Sequence, residues 1–128
     1  MSRDGVRLCI PAQPEYLLVV RLTAAGLANR MGFNVEEIED VKAAVAEACI
    51  MLMNQPWNLD DITLDFRLTT DVFHAAVRGK GNADNKAESQ QNENELSRYL
   101  LQALMDDAAV RSEGGFIHSI TMQKKASQ

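Results

Sequence analysis

Cysteine is scarce in this sequence. Cys9 and Cys49 are the two cysteines, and neither has a cysteine or histidine neighbour at metal-ligand spacing. The pattern therefore indicates neither a disulfide framework nor a zinc site. His74 and His118 fall in predicted strands, again without ligand spacing. We expect free thiols in a reducing cytoplasmic environment, and no metal site.

Long apolar runs and basic clusters are also missing. The apolar run at 17–20 is far below the ~20 residues that span a bilayer, and the start MSRDGVR does not resemble a signal peptide. The net charge is −5, and the basic residues are scattered along the chain. Because phosphate contacts require clustered cations, we expect neither a membrane nor nucleic acid as partner, which leaves a protein or a small molecule.

The composition is that of a globular protein. Apolar residues make up 46% and charged residues 24% of 128 residues, which fits one domain over 1–128. Apolar spacing predicts strands at 6–10, 62–69, 72–77, 109–111 and 116–122, and helices at 15–31, 34–55 and 95–107. This order predicts an α+β two-layer sandwich, with a mainly antiparallel mixed sheet and helices on one face.

Two segments need separate interpretation. Residues 79–94 have no large apolar side chain, so we expect a mobile loop there. The helix at 15–31 is apolar almost all the way round, which is typical either of an internal helix or of a partner surface. In the last helix, Leu96, Leu100, Ala103 and Leu104 lie on one face.

A family resemblance covers nearly the whole chain outside the loop. The stretches PAQPEY, VRLT, ANRMGF, EEIEDVK and AEAC within 10–49, and LLQALMDDAAV at 100–110, resemble the anti-sigma-factor serine kinases of bacterial stress and sporulation control. The resemblance implies the GHKL (histidine-kinase-like) ATPase fold. Such kinases use ATP and magnesium to phosphorylate a serine on a small antagonist protein. They otherwise hold a sigma factor inactive, and they typically form dimers.

The resemblance also implies a nucleotide site, from which this chain departs. Glu47 matches the family glutamate, but Met51 stands where an asparagine binds magnesium. A thioether cannot replace that oxygen, and Asn54 lies about 4.5 Å further along the helix axis. At the adenine-binding motif, Gly79 replaces the aspartate and Gly81 alone fits.

The glycine-rich turn before the last helix has diverged as well. Glu95 stands in place of a glycine, and Leu96, Ser97 and Arg98 follow it. A carboxylate and three side chains there oppose the binding of polyphosphate to backbone amides. We therefore assign a catalytic role to no residue and expect no cofactor. Glu47, Asn54 and Gly81 remain as doubtful nucleotide-binding residues.

These observations predict a regulator that binds a sigma factor, its antagonist, or both, and forms a homodimer. The resemblance assigns partner binding to Glu15, Tyr16 and Arg21, although Arg21 could instead form an intramolecular salt bridge. One alternative is an active serine kinase that uses Mg-ATP, with Glu47 as base and Asn54 on the metal. Another is a scaffold that only dimerises.

Overall fold

Alternating apolar and polar residues along the strands produce a single five-stranded sheet. The computed structural model describes residues 4–55, 58–82 and 93–127. The strands are β1 (Asp4–Pro11), β2 (Asn58–Leu68), β3 (Val72–Asn82), β4 (Asp107–Glu113) and β5 (Phe116–Lys125). Their order across the sheet is β1-β2-β3-β5-β4, and all four pairings are antiparallel. The predicted mixed sheet therefore has no parallel pair within the described residues.

Three α-helices cover one face of this sheet. They are α1 (Leu17–Arg30), α2 (Val35–Met53) and α3 (Glu93–Leu104), and a short 3-10 turn at Pro14–Tyr16 precedes α1. On β2, the apolar residues 62, 64, 66 and 68 are buried, while the residues between them are more exposed. One face of the sheet thus carries the core, and the predicted α+β two-layer sandwich is confirmed.

The core forms where α2 crosses the sheet. Val41, Val45 and Leu52 of α2 are fully buried. Phe73 of β3 is also fully buried, and its ring centroid lies 5.9 Å from that of Phe66 on β2. Burial of each such side chain contributes about 1.5–3 kcal/mol, so α2 is the helix whose direction the core fixes most firmly.

The start of α2 is specified locally. Gly32 ends the preceding turn with a positive φ of 80°, a conformation that glycine adopts without steric cost. Asn34 then accepts a hydrogen bond from the backbone N–H of Glu37, and the Glu37 carboxylate accepts one from the backbone N–H of Asn34, each at 2.8 Å. This reciprocal capping box satisfies two of the free amides of the helix end.

One expectation from the sequence, the mobile loop at 79–94, is corrected. Of the predicted mobile loop at 79–94, residues 79–82 continue β3 and residues 93–94 begin α3, while 83–92 lie outside the described residues. The β3 extension is possible because those residues pair with β2.

The face of α3 that carries Leu96 and Leu100 is not the face that packs on the core. Leu96 is 76% exposed and Leu100 is 42% exposed, whereas Leu101 is fully buried and Met105, just after the helix, is 4% exposed. The helix has two apolar stripes, and packing against α2 selects the one that contains Leu101.

Replacement of the cap residue should weaken the domain. We expect Asn34→Ala to lower the free energy of unfolding by about 1 kcal/mol, because the amide of Glu37 loses its acceptor. Urea unfolding followed by circular dichroism measures this. Asn54→Ala is the control, since the Asn54 side chain makes no hydrogen bond within the described residues; an equal loss in both variants would contradict the assignment.

Glu37 should also shape the acid limb of stability. Hydrogen bonds from the Asn34 amide, and then from Ser127, lower the pKa of Glu37 below its ordinary value of 4.5. Because the folded pKa lies below the unfolded one, the unfolded state binds protons first as the pH falls. The stabilisation is present above pH 4.5 and is lost as the pH falls through the folded pKa. In urea titrations between pH 7 and pH 3, Glu37→Gln should lose less stability than the parent protein.

Candidate functional site

Glu47 lies on the side of α2 that faces away from the sheet, in a groove shared by all three helices. The groove has a volume of about 320 Å³, and α1 contributes Arg21 while α3 contributes Leu100. Between them α2 contributes the lining residues Glu39, Lys42, Ala43, Ala46, Glu47 and Ile50. Glu47 therefore lies where the three helices meet.

The carboxylate of Glu47 already has a partner. Ser97 of α3 donates a hydrogen bond from its hydroxyl oxygen to Glu47 Oε2 at 2.7 Å. A hydrogen bond to a carboxylate is charge-assisted and stronger than one between neutral groups. Ser97 falls in the segment that stands in place of the family's glycine-rich turn, so a side chain of this segment contacts the retained glutamate.

Met51 belongs to the hydrophobic core. It is 2% exposed and packs within the main buried cluster together with Leu52 and Cys49. Glu47 and Met51 are one helical turn apart, so their side chains are adjacent on the surface of the helix. At the position that resembles the magnesium-binding asparagine, the helix therefore presents buried apolar surface without an oxygen ligand.

The adenine-binding motif is covered from β2. A β-carbon added at Gly79 would lie 2.9 Å from Cδ2 of Leu59 and 3.0 Å from its Cδ1. Leu59 packs against the core, next to a register shift between Leu59 and Asp61. An aspartate at position 79 would therefore require the flexible end of the Leu59 side chain to shift.

Gly81 has a structural reason to be glycine. A β-carbon there would collide with the backbone of Asn58 and would lie 2.7 Å from Cα of Leu59. Backbone atoms cannot move aside as a flexible side chain can, so Gly81 permits the close pairing of β2 and β3. Strand packing alone therefore explains why position 81 is glycine, independently of any ligand.

Asn54, the remaining nucleotide-binding candidate, is not brought to Glu47, and neither is Glu95. Asn54 is the exposed C-cap of α2, and Glu95 is exposed on α3. Trp57 lies outside the described residues. At two points, therefore, the residues present do not fit a magnesium nucleotide: Met51 offers no oxygen ligand, and Ser97 binds Glu47.

The predicted partner-binding residues lie together at the start of α1. Glu15 and Tyr16 are exposed in the 3-10 turn rather than in a helix as predicted, because Gln13 accepts the amide hydrogen bond of Tyr16 there. Arg21 follows in the second turn of α1, half-buried at the groove. It makes no ion pair within the described residues, so the part of the chain that the structure describes offers no partner for the alternative intramolecular salt bridge.

The remaining candidate residues do not form a site. Burial raises the pKa of the Cys49 thiol to about 12, so this cysteine is protonated at neutral pH. Desolvation, and then the charge of Arg67, lower the pKa of His74. Within residues 4–55, 58–82 and 93–127, no three potential metal ligands cluster and no helix is long and apolar enough to cross a membrane.

Two contacts at the site were not predicted from the sequence. Ser97 is 50 positions from Glu47, and Leu59 is 20 positions from Gly79. The larger residues that replace the small motif residues at 95–98 could have indicated the contact between Ser97 and Glu47. No sequence pattern indicated the contact between Leu59 and Gly79, because Leu59 precedes a register shift that alternation alone does not reveal.

Comparison with known proteins identifies relatives over most of the chain. The profile of the histidine kinase-like ATPase domain matches residues 10–124. Serine-protein kinase RsbW of Bacillus velezensis is 32% identical, with 94% of this chain and 86% of that protein covered. Serine-protein kinase RsbW of Bacillus subtilis is 31% identical over the same shares. Serine-protein kinase RsbW of Bacillus cereus strain B4264 is 36% identical, with 88% and 80% covered.

Restoring an amide at position 51 should destabilise the protein. We expect Met51→Asn to lower the free energy of unfolding by about 2–4 kcal/mol, because apolar contacts are lost and an amide is buried in their place. Met51→Leu keeps the volume and should cost less than about 1.5 kcal/mol. Urea unfolding of both variants measures the difference; equal stability would mean that position 51 is not part of the core.

Proposed function

The chain belongs to the histidine kinase-like ATPase domain family, and from this premise we propose that it is an anti-sigma factor that works by binding alone. Its partners would be a sigma factor, an antagonist protein, or both, in the cytoplasm. Under this proposal partner exchange follows competition and abundance rather than phosphorylation. Neither ATP nor magnesium is required.

The observation that carries this proposal is that the face of α2 with Glu47 and Met51 lacks a metal ligand and is already engaged in contacts within the protein. Phosphoryl transfer depends on a positioned metal and positioned phosphate contacts far more than on one base. Met51 is buried and offers no ligand oxygen, and Glu47 accepts a hydrogen bond from Ser97. At the position where the resemblance places the adenine-binding aspartate, Gly79 offers no carboxylate.

The surface at the start of α1 supports binding to a protein. Leu18 is 61% and Leu22 is 62% exposed, and both lie close to Arg21 on the helix surface. Arg21 has no ion-pair partner within the described residues, so its guanidinium group is free for a bidentate contact with a partner carboxylate. Glu15 and Tyr16 are exposed just before the helix.

The second candidate is an active serine kinase. Two observations favour it: the relatives from three Bacillus species carry the name serine-protein kinase, and Glu47 keeps its place on α2. This candidate requires Ser97 to release Glu47 and another oxygen to replace the missing asparagine. Asn54 is seven residues beyond Glu47, about 10 Å along the helix axis.

A magnesium ATP titration separates the two candidates. By isothermal calorimetry we expect no binding heat with millimolar nucleotide, and no thermal shift. Serine-protein kinase RsbW of Bacillus subtilis is the positive control in the same buffer. Micromolar binding, or phosphate transfer to an antagonist serine, would refute the proposal and establish the kinase.

Partner capture should depend on Arg21. We expect Arg21→Glu to reduce recovery of sigma factor or antagonist at least tenfold in pull-downs from host cells, because a carboxylate at this position repels the partner's carboxylate. Arg67→Glu is the matched control. It makes the same change at an exposed arginine on the opposite face of the sheet. Equal losses in both variants would count against the α1 surface.

Homodimer formation is a further part of the proposal. Leu18 and Leu22 expose apolar surface that a second copy would cover. Light scattering coupled to size exclusion measures the mass. A stable dimer from which neither a sigma factor nor an antagonist is recovered would instead favour the scaffold.

A further inference from the structure

The open face of the sheet, which the helices do not cover, carries a depression. Its volume is about 720 Å³, which is within the range of small-molecule sites. Its described lining residues come from β1, β2, β3 and β5. Ala76 and Thr121 lie opposite one another in the register of β3 and β5, so two short side chains form the floor. The depression is on the other side of the sheet from the groove that contains Glu47.

Three arginines that are far apart in the sequence meet at this depression. Arg7 comes from β1, Arg67 from β2 and Arg78 from β3. Asp65 pairs with two of them, since Arg7 Nε lies 2.7 Å from its Oδ1 and Arg78 Nη2 lies 2.7 Å from its Oδ2. One carboxylate thereby holds two guanidinium groups in place on the same face.

These ion pairs leave many hydrogen-bond donors available. Asp65 occupies one nitrogen of Arg7 and one of Arg78, whereas every nitrogen of a guanidinium group carries N–H donors. Arg67 makes no ion pair within the described residues. Guanidinium groups suit phosphate in particular, because their planar fork donates two parallel hydrogen bonds to its oxygens. The depression is therefore bordered by donors for an anion.

The lining has an excess of positive charge. Its ionisable residues are Arg7, Arg67, Arg78, Asp65 and His74. Desolvation, and then the charge of Arg67, lower the pKa of His74, so this imidazole is mostly uncharged at neutral pH. Three cations and one anion leave the lining at +2, in a chain whose net charge is −5.

The charged residues next to the lining do not cancel this excess. Asp61 lies opposite Lys80 in the register of β2 and β3. Strand β4 contributes one acid and one base, Asp107 and Arg111, at its exposed positions. Lys125 adds a cation at the end of β5. The complement of the depression is therefore an anion, and a dianion balances its charge.

We propose that this depression binds a small dianionic phosphate compound, either inorganic phosphate or a phosphate monoester. Arg7, Arg67 and Arg78 donate hydrogen bonds to the phosphate oxygens, and Asp65 positions two of these arginines. Thr121 lies beside them on the floor and offers its hydroxyl group to an esterified ligand.

Two other occupants fit the depression less well. Single-stranded nucleic acid stacks its bases on exposed aromatic rings, but Phe66, the aromatic residue among the described lining residues, is 2% exposed. A second copy of the same face would bring two positively charged linings together. The site is independent of the proposed function, because it lies on the face opposite the helical layer.

NMR spectroscopy of the histidine side chains tests whether phosphate binds at this place. His74 belongs to the lining, and His118 lies outside it. At constant pH and ionic strength, inorganic phosphate should shift the imidazole signals of His74 saturably, with millimolar affinity, and leave those of His118 unchanged. Sodium chloride should shift neither. Succinate should bind at least tenfold more weakly, because its two charges do not lie on one centre.

A second titration, with glycerol 3-phosphate, distinguishes the two sources of phosphate. Tighter binding than that of inorganic phosphate would identify an ester as the ligand, because the organic part then adds contacts. Equal affinity would identify the free ion. Either result supports the shared chemistry, and no saturable shift of His74 with either compound would overturn it.

Variants assign the binding to the named residues. Arg67→Gln and, separately, Arg78→Gln should each weaken phosphate binding about tenfold, because each removes charged donors. The circular dichroism spectrum and the urea midpoint should stay unchanged, since exposed ion pairs contribute little to stability. Arg111→Gln is the matched control, because it makes the same change at an exposed arginine on β4, outside the lining.

Three further outcomes would overturn the inference. They are an equal shift of His118, an equal effect of sodium chloride, and a loss of binding in Arg111→Gln as large as in Arg67→Gln. Magnesium ATP is not expected to bind here, because the metal coordinates the phosphate oxygens that the arginines would contact. Calorimetric heat from magnesium ATP that persists in Arg67→Gln would count against the proposed function alone, so the two failures can be told apart.

Discussion

Burial of one side of α2 against the sheet is the constraint on which the rest of the structure depends. Val41, Val45 and Leu52 are fully buried, and Met51 joins them at 2% exposure. Successive side chains on a helix are separated by a fixed angle. Burial of these residues therefore also fixes the direction in which Glu47 points, at the edge of the core. The packing that stabilises the domain thereby fixes the position of the retained carboxylate.

The same constraint links stability to the state of the nucleotide site. A magnesium ligand at position 51 would place an amide where the core now has a thioether chain, and a buried amide without a partner is costly. Ser97 of α3 acts in the same direction, because its hydroxyl donates a hydrogen bond to Glu47. Two elements thus contribute apolar or hydrogen-bonded contacts at positions where the family resemblance predicts nucleotide ligands.

The two faces of the molecule differ in what they offer to partners. On the open face of the sheet, Asp65 pairs with Arg7 and Arg78 at 2.7 Å each. Ion pairs this exposed contribute little to stability, and this face is polar. The helical layer instead exposes large apolar side chains on both α1 and α3, beside Arg21. The proposed contact with a partner protein therefore rests on the helical layer.

Local patterns were sufficient to predict most of the elements. Alternation at 62–68 gives β2 its buried face, and the Asn34 and Glu37 pair specifies where α2 begins, because both signals act between residues close in sequence. The departures of Met51, Gly79 and Glu95 from the family pattern could likewise be read from single positions. The inward face of α3 could not, since its two apolar stripes have the same helical spacing. Packing against α2 buries Leu101 and leaves Leu96 outside. The Ser97–Glu47 hydrogen bond and the cover of Leu59 over Gly79 join residues far apart in the chain, so only the tertiary structure could bring them together.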